Sequence, residues 1–119
     1  SPSGMPGVQT LLPVMLDHVN SGKLSINQLI SFVCENPVKI FGIKNKGFIK
    51  EKYDADFTIV DMNKKITIKN ENIESKCKWS PFNNVELKGT PVATIIAGKI
   101  KMKEGKILGE PDGNPLLFN

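Results

Sequence analysis

Apolar residues in the first third of the chain recur at helical spacing. They follow a small-residue loop at residues 3–7, and Ser21-Gly22 supplies a stop signal after them. The pattern predicts a helix that begins near Leu12, with Pro13 in its first turn. Its apolar positions are Val8, Leu11, Leu12, Met15, Leu16 and Val19.

Two further helices are predicted before residue 43. Ser25 followed by Gln28 three residues later is a capping box, and a third helix has Asn36 as N-cap, Pro37 at its first position and Gly42 as its stop. The apolar residues of both helices are expected to be buried. They are Ile26, Leu29, Ile30 and Val33 in the second helix, and Val38, Ile40 and Phe41 in the third.

After Gly47 the hydrophobic pattern changes to a period of two, which is typical of strands. The predicted strands are residues 57–62, 65–69, 85–88, 92–96 and 99–103, with tight turns at 89–91, 97–98 and 104–105. Residues 70–84 form an irregular connection, and the tail after Gly109 is expected to be extended. Helices first and strands afterwards indicate an α+β fold.

The composition narrows the classes of function. The 119 residues fit one ordinary domain, and the net charge of +4 comes from lysine without any arginine. The lysines at 99, 101 and 103 alternate along a strand, which favours a solvent-exposed strand face over a surface that binds nucleic acid. A lysine-rich nucleic-acid binder stays open as a weaker hypothesis. No run of about 18 apolar residues is present, so no membrane span is expected.

Cysteine and histidine usage points to a cytoplasmic protein without a metal centre of its own. Cys34 and Cys77 lie far apart, so they are predicted to be reduced, buried thiols. His18 is the single histidine, and together with the two cysteines it lacks the spacing and the fourth ligand of a zinc site.

Three local features are candidates for chemistry. Asp17 and His18 are adjacent on a helix, where their side chains diverge by about 100°, so a solvated helix end is favoured over a catalytic pair. Asp54, Asp56 and Asp61 lie close together in the sequence, but without the glycine and the terminal Glu of a calcium loop. This pattern favours aspartates that cap backbone amides before a strand over a calcium site. The loop at residues 3–7 could present backbone groups to a ligand, although an ordinary helix entry is favoured on local pattern alone.

Several segments together resemble the dihydroorotases of the amidohydrolase superfamily. The resemblance covers essentially the whole chain and is carried by residues 2–16 (PSGMPGVQTLLPVML), 35–43 (ENPVKIFGI), 47–61 (GFIKEKYDADFTIVD) and the 89–100 hairpin region. It implies the C-terminal piece of a (β/α)8 metal-dependent hydrolase barrel plus a β-sandwich domain. Residues 1–46 would be the last barrel helices with the substrate loop, and residues 47–119 the C-terminal part of the sandwich.

The resemblance also implies an activity that this chain would not perform alone. Dihydroorotases interconvert dihydroorotate and N-carbamoyl-L-aspartate in pyrimidine biosynthesis, using a binuclear zinc centre that activates water. Its ligand motifs and the catalytic Asp would precede Ser1, so no catalytic or metal residue is assigned to this chain. Backbone groups of Pro6 and Gly7 are the substrate contacts that the resemblance implies. Lys52 stands where the family has glycine, so the turn there is expected to differ.

Alternative readings stay open at this stage. The chain could be a non-catalytic remnant or interaction module, or part of a related cyclic amidase such as a hydantoinase or allantoinase. The expected partners are a small-molecule substrate and the remainder of the enzyme chain, with a possible homo-oligomer and neither nucleic acid nor membrane. In isolation the chain is expected to expose apolar surface and an open sheet edge.

Overall fold

The computed structural model describes residues 3–119. Ser1 and Pro2 lie outside the described residues, and Pro2 is the first residue of the dihydroorotase-like segment. Three helices precede four strands, which confirms the α+β order. The elements are α1 (Leu11–Asn20), α2 (Ile26–Ile30), a π-helical turn (Ser31–Glu35), α3 (Asn36–Phe41), β1 (Phe57–Thr67), a 3₁₀ turn (Asn70–Asn72), β2 (Glu86–Ile96), β3 (Lys99–Lys103) and β4 (Lys106–Ile107).

Helix α1 forms as its sequence predicts. Pro13 lies in the first turn, where a missing N–H costs no helical hydrogen bond, and the helix ends at Asn20. Gly22 then adopts a positive φ of 78°, and its N–H donates to the carbonyl of Val19. Leu16 is almost completely buried, so α1 is held by its apolar stripe as well as by its end signals.

The second and third helices are one continuous helical run rather than two separate helices. The capping box is confirmed: the Ser25 hydroxyl accepts from the Gln28 N–H at 3.1 Å, and the Gln28 side chain accepts from the Ser25 N–H at 2.8 Å. The π-helical turn joins α2 directly to α3, whose last turn is closed by Gly42 in the left-handed conformation.

The predicted burial of this helical run is largely wrong. Leu29 is buried, whereas Ile26, Ile30 and Val33 are exposed. Ile40 and Phe41 are 74% and 66% exposed, because no described side chain covers that part of the run. Val38 does find a neighbour: a Cβ placed on Gly47 would lie 2.6 Å from its Cγ2, so this backbone approach requires glycine.

The four strands form one sheet in the order β1-β2-β3-β4, and β2–β3 and β3–β4 are antiparallel. Two-residue turns at Ala97-Gly98 and Glu104-Gly105, all four residues with positive φ, connect the last three strands as predicted. A bulge shifts the β2–β3 register between Thr94 and Ile95.

Two predicted strand breaks are absent, because residues 57–67 form a single strand and residues 86–96 form another. Within β1, Asp61 accepts from the N–H groups of Asn63 and Lys64 without ending the strand. The predicted turn at 89–91 is wrong because Gly89 serves a different purpose. A Cβ there would lie 3.0 Å from the Cβ of Leu16, so the glycine lets β2 approach α1 closely.

The chain divides into two compact units. The first comprises the described part of Ser1–Lys23 with Asp61–Pro91, and the second comprises Leu24–Val60 with Val92–Asn119. The first unit contains a core cluster of Ile68, Ile73 and Leu87, against which Val14, Ile66 and Phe82 pack. The boundary at residue 46/47 between barrel helices and sandwich stays a prediction.

In the second unit the C-terminal tail is extended, as predicted, and is bonded at two places. Its Asp112 pairs with Lys99 and Lys101, and Phe118 forms a β-bridge with Ile43. Among the described residues no helix is long and apolar enough to cross a membrane. Cys34 and Cys77 are free thiols, but both are exposed, so their predicted burial is wrong.

Candidate functional site

The predicted ligand loop forms one wall of a shallow pocket in the first unit. The pocket is open to solvent, and the space that its walls enclose is only about 10 Å³, which is room for about one water molecule. One wall is the approach to α1, and the other is the connection between β1 and β2. The lining residues are Pro6, Gly7, Val8, Gln9, Thr10, Ile73, Ser75, Trp79 and Ser80.

The loop wall is attached to the opposite wall through one side chain. The Gln9 amide nitrogen donates to the carbonyl of Asn72 at 2.9 Å, and its amide oxygen accepts from the Glu74 N–H at 2.8 Å. The loop enters α1 through a hydrogen bond from the Leu11 N–H to the Gly7 carbonyl at 2.9 Å. Pro6 and Gly7 are thus half-buried at the pocket edge, with the backbone fixed on their helical side.

The opposite wall is ordered by asparagine side chains, although its sequence predicts only an irregular connection. Asn70 accepts from the Ser80 N–H at 2.8 Å, and the Asn83 side chain accepts from the Asn70 N–H at 2.9 Å. Ser80 is buried, and its hydroxyl accepts from the Phe82 N–H. Sequence reasoning missed Trp79 and Ser80 as pocket residues, because their position depends on contacts with the distant loop.

The pocket carries polar groups but no charged side chain among its lining residues. Thr10 is 3% exposed, and its hydroxyl has no hydrogen-bond partner among the described residues. The Thr10 carbonyl accepts from the Val14 N–H, as expected at the first turn of a helix. Backbone amides and hydroxyls of this kind can donate hydrogen bonds to a polar ligand or accept them from it.

The Asp17-His18 pair does not behave as a solvated helix end. The Asp17 carboxylate accepts from the Lys88 N–H at 2.9 Å, which attaches α1 to β2. The Asn20 amide reinforces this contact by donating to the carbonyls of Met62 and Lys88 at 2.9 and 2.7 Å. Nδ1 of His18 is buried without a partner among the described residues. The pair therefore contributes to docking of α1, and no hydrogen bond between its two side chains supports catalysis.

The three aspartates act as caps and ion-pair partners. Lys46 bridges Asp54 and Asp56, and Asp56 also accepts from the Ala97 N–H at 2.8 Å. The hydrogen bond from Lys46, with that from Ala97, lowers the pKa of the Asp56 carboxyl. Across residues 3–119, no three His, Cys, Asp or Glu side chains are grouped so as to hold a metal ion. The described residues therefore do not fit a metal centre.

The lysines of β3 do not form the uniform solvated face that their alternation predicts. The bulge interrupts the register at Lys101, whose side chain is largely covered. Lys101 lies 2.7 Å from one oxygen of Asp112, and Lys99 lies 3.0 Å from the other. Two of the three lysine charges are thus paired with a carboxylate of this chain, which argues further against the hypothesis that this strand binds nucleic acid.

The chain is similar in sequence to dihydroorotases and hydantoinases, and in structure to a hydantoinase. The chain is 44% identical to a dihydroorotase from Pyrococcus furiosus over 97% of its own length and 28% of that protein. It is 36% identical to an L-hydantoinase from Paenarthrobacter aurescens over 91% of its length and 24% of that protein. The solved L-hydantoinase of Arthrobacter aurescens superposes with a TM-score of 0.89 at 35% identity, covering 92% of this chain and 25% of that one.

The matches thus cover nearly all of this chain, but the chain spans only about a quarter of the length of these relatives. The sequence profile of the amidohydrolase family matches residues 7–101, which is most of the chain and includes every residue that lines the pocket except Pro6. The fold and the sequence agree on this assignment: the chain belongs to the amidohydrolase family.

Proposed function

We propose that this chain is the C-terminal portion of a dihydroorotase, which interconverts dihydroorotate and N-carbamoyl-L-aspartate. The observation that carries the proposal is the similarity to curated dihydroorotases, at 34–44% identity over nearly the whole chain. The remainder of such an enzyme would supply the barrel and its zinc ligands, because the described residues do not group into a metal site. Zinc, when bound there, would supply an activated water.

In this proposal Pro6 and Gly7 contact the dihydropyrimidine ring through their backbone groups. Three features support that role. The loop borders a pocket, its helical side is fixed by hydrogen bonds, and a Cβ built on Gly7 meets nothing within 4 Å. A cyclic amide offers one donor and one acceptor side by side, which backbone carbonyl and N–H groups match. The open space at Gly7 would let the ring approach the backbone closely.

A hydantoinase is the second candidate, and a specific observation favours it. The L-hydantoinase of Arthrobacter aurescens superposes closely on this chain, with a TM-score of 0.89. Hydantoins are also cyclic amides, so the same backbone groups could contact them. The two candidates differ in substrate: dihydroorotate carries a carboxylate on a six-membered ring, whereas hydantoins have five-membered rings.

The test compares both substrates on the protein in its full natural length, loaded with zinc. We expect turnover of dihydroorotate and none of 5-substituted hydantoins. The 119-residue chain alone is expected to be inactive. Preferential turnover of a hydantoin would support the second candidate, and turnover of neither would refute both.

Two glycine variants test the loop contact. Gly7→Val places a side chain on the pocket wall and should raise KM for dihydroorotate about tenfold by obstructing the ring, a loss typical of one displaced backbone contact. Gly4→Val is the matched control, because Gly4 also has open space around it but does not line the pocket. Equal KM values for the two variants would contradict the assignment of Gly7.

A further inference from the structure

We infer that Gln9 is a positioning residue, which holds the backbone of the Pro6–Gly7 loop at the distance from the opposite wall that substrate binding needs. The inference rests on the proposed function, because it takes that loop as the substrate contact. It assigns to Gln9 no contact with the reacting atoms. Its action is exerted through the backbone two and three residues earlier in the chain.

The geometry of the Gln9 side chain carries the inference. Both ends of its amide are used, the nitrogen toward Asn72 and the oxygen toward Glu74, and both bonds go to backbone groups 63 and 65 residues away in sequence. A primary amide is the side-chain group that can donate and accept in this parallel manner. The pair of bonds resembles one rung of a β-ladder, with the side chain in place of a strand.

The two hydrogen bonds of the Gln9 amide join the two walls of the pocket. Gln9 and its neighbours line one wall of the pocket, whereas Ile73, between the two bonded residues, lines the other. Ile73 also belongs to the buried core cluster, so the wall that receives the Gln9 amide is itself fixed. Gln9 thus ties a loop that contains small residues to a wall that the core holds in place.

The loop has few other attachments in the described chain. Gly4 and Gly7 have no neighbour within 4 Å of a built Cβ, and Met5 and Val8 are exposed. The Leu11 to Gly7 bond fixes the loop to α1 but not to the opposite wall. Removal of the Gln9 amide would therefore let the loop shift relative to that wall and weaken its contact with the substrate ring.

The experiment measures loop protection and kinetics in the full-length zinc-loaded protein carrying Gln9→Ala. Loss of two hydrogen bonds should speed amide exchange about tenfold at Leu11, whose N–H donates to the Gly7 carbonyl of the loop, and raise KM for dihydroorotate by a similar factor, with kcat changed less than threefold. Gln9→Glu keeps the acceptor for the Glu74 N–H but sets a carboxylate oxygen against the Asn72 carbonyl, so its effects should be at least as large as those of Gln9→Ala. Gln28→Ala is the matched control, since it removes another glutamine that bonds to backbone, in the capping box of α2.

Each result decides a separate question. Unchanged loop exchange in Gln9→Ala would overturn the positioning role, whether or not the protein is active. Faster exchange with unchanged KM, or the same KM increase in Gln28→Ala, would overturn it as well, because the residue would then be only structural. Absence of dihydroorotate turnover in the unmodified protein would refute the proposed function alone, and KM for the substrate actually turned over would then complete the test.

Discussion

Replacement of Gly89 by alanine should destabilise the first unit more than an ordinary glycine substitution does. The added Cβ would lie 3.0 Å from the Cβ of Leu16 and 3.1 Å from Nδ2 of Asn20. Neither neighbour can retreat freely, because Leu16 is almost fully buried and the Asn20 amide is bonded to two carbonyls. Overpacking of this kind costs about 1–3 kcal/mol. Gly89 also has a φ of 104°, which adds about 1–2 kcal/mol of backbone strain for alanine.

The magnitude is tested against Gly22→Ala in the same unit. Gly22 shares the positive φ but has nothing within 4 Å of its built Cβ, so it should cost only about 1 kcal/mol. The assay is urea unfolding of the 119-residue chain followed by the fluorescence of Trp79, its single tryptophan, which lies in the same compact unit. We expect Gly89→Ala to lower the free energy of unfolding by about 2–5 kcal/mol, summed from these two terms. Equal losses in the two variants would refute the close-packing explanation for this glycine.

Two further predictions concern the second unit. Lys52 and Ala97 adopt φ values of 69° and 50°, which strain residues other than glycine and asparagine. Lys52→Gly and Ala97→Asn should therefore each raise the free energy of unfolding by about 0.5–1 kcal/mol, measured by thermal or urea denaturation. A loss of stability in both variants would contradict the strain argument. Asp56 has a lowered pKa, so its contribution is present above its ordinary pKa and is lost as the pH falls through the folded value. The free energy of unfolding, measured from pH 6 down to about pH 2, should therefore fall more in the unmodified protein than in Asp56→Asn. The difference between the two falls should be less than about 1 kcal/mol. Parallel profiles would show that the Lys46 pairing contributes nothing to stability.

The elements that the sequence predicts well are those decided by neighbouring residues. The capping box at Ser25, the left-handed stop at Gly42 and the turn at Ala97-Gly98 all depend on local chemistry, and all three are present. Lys52 adopts the left-handed conformation that a glycine accepts freely. The expected difference between this turn and that of the family stays a prediction.

The features that sequence reasoning missed depend on residues far away in the chain. Gly89 carries a turn signal, but its role comes from Leu16, which no local pattern indicates. The exposed Ile40 and Phe41 follow the burial pattern of a covered helix, yet no described residue covers them. At the pocket the loop was predicted, but Trp79 and Ser80 were not, because the connection that carries them has no periodic pattern.

The long-range bonds that dock α1 have a consequence for synthesis of the protein. Gln9, Asp17 and Asn20 bond to residues that follow them by 42 to 71 positions. A ribosome adding roughly 5–20 residues per second needs about 2–14 s to make those partners. During that interval the loop and α1 lack the hydrogen-bond partners that fix them. Their final position is therefore reached only after the residues of β2 have been synthesised.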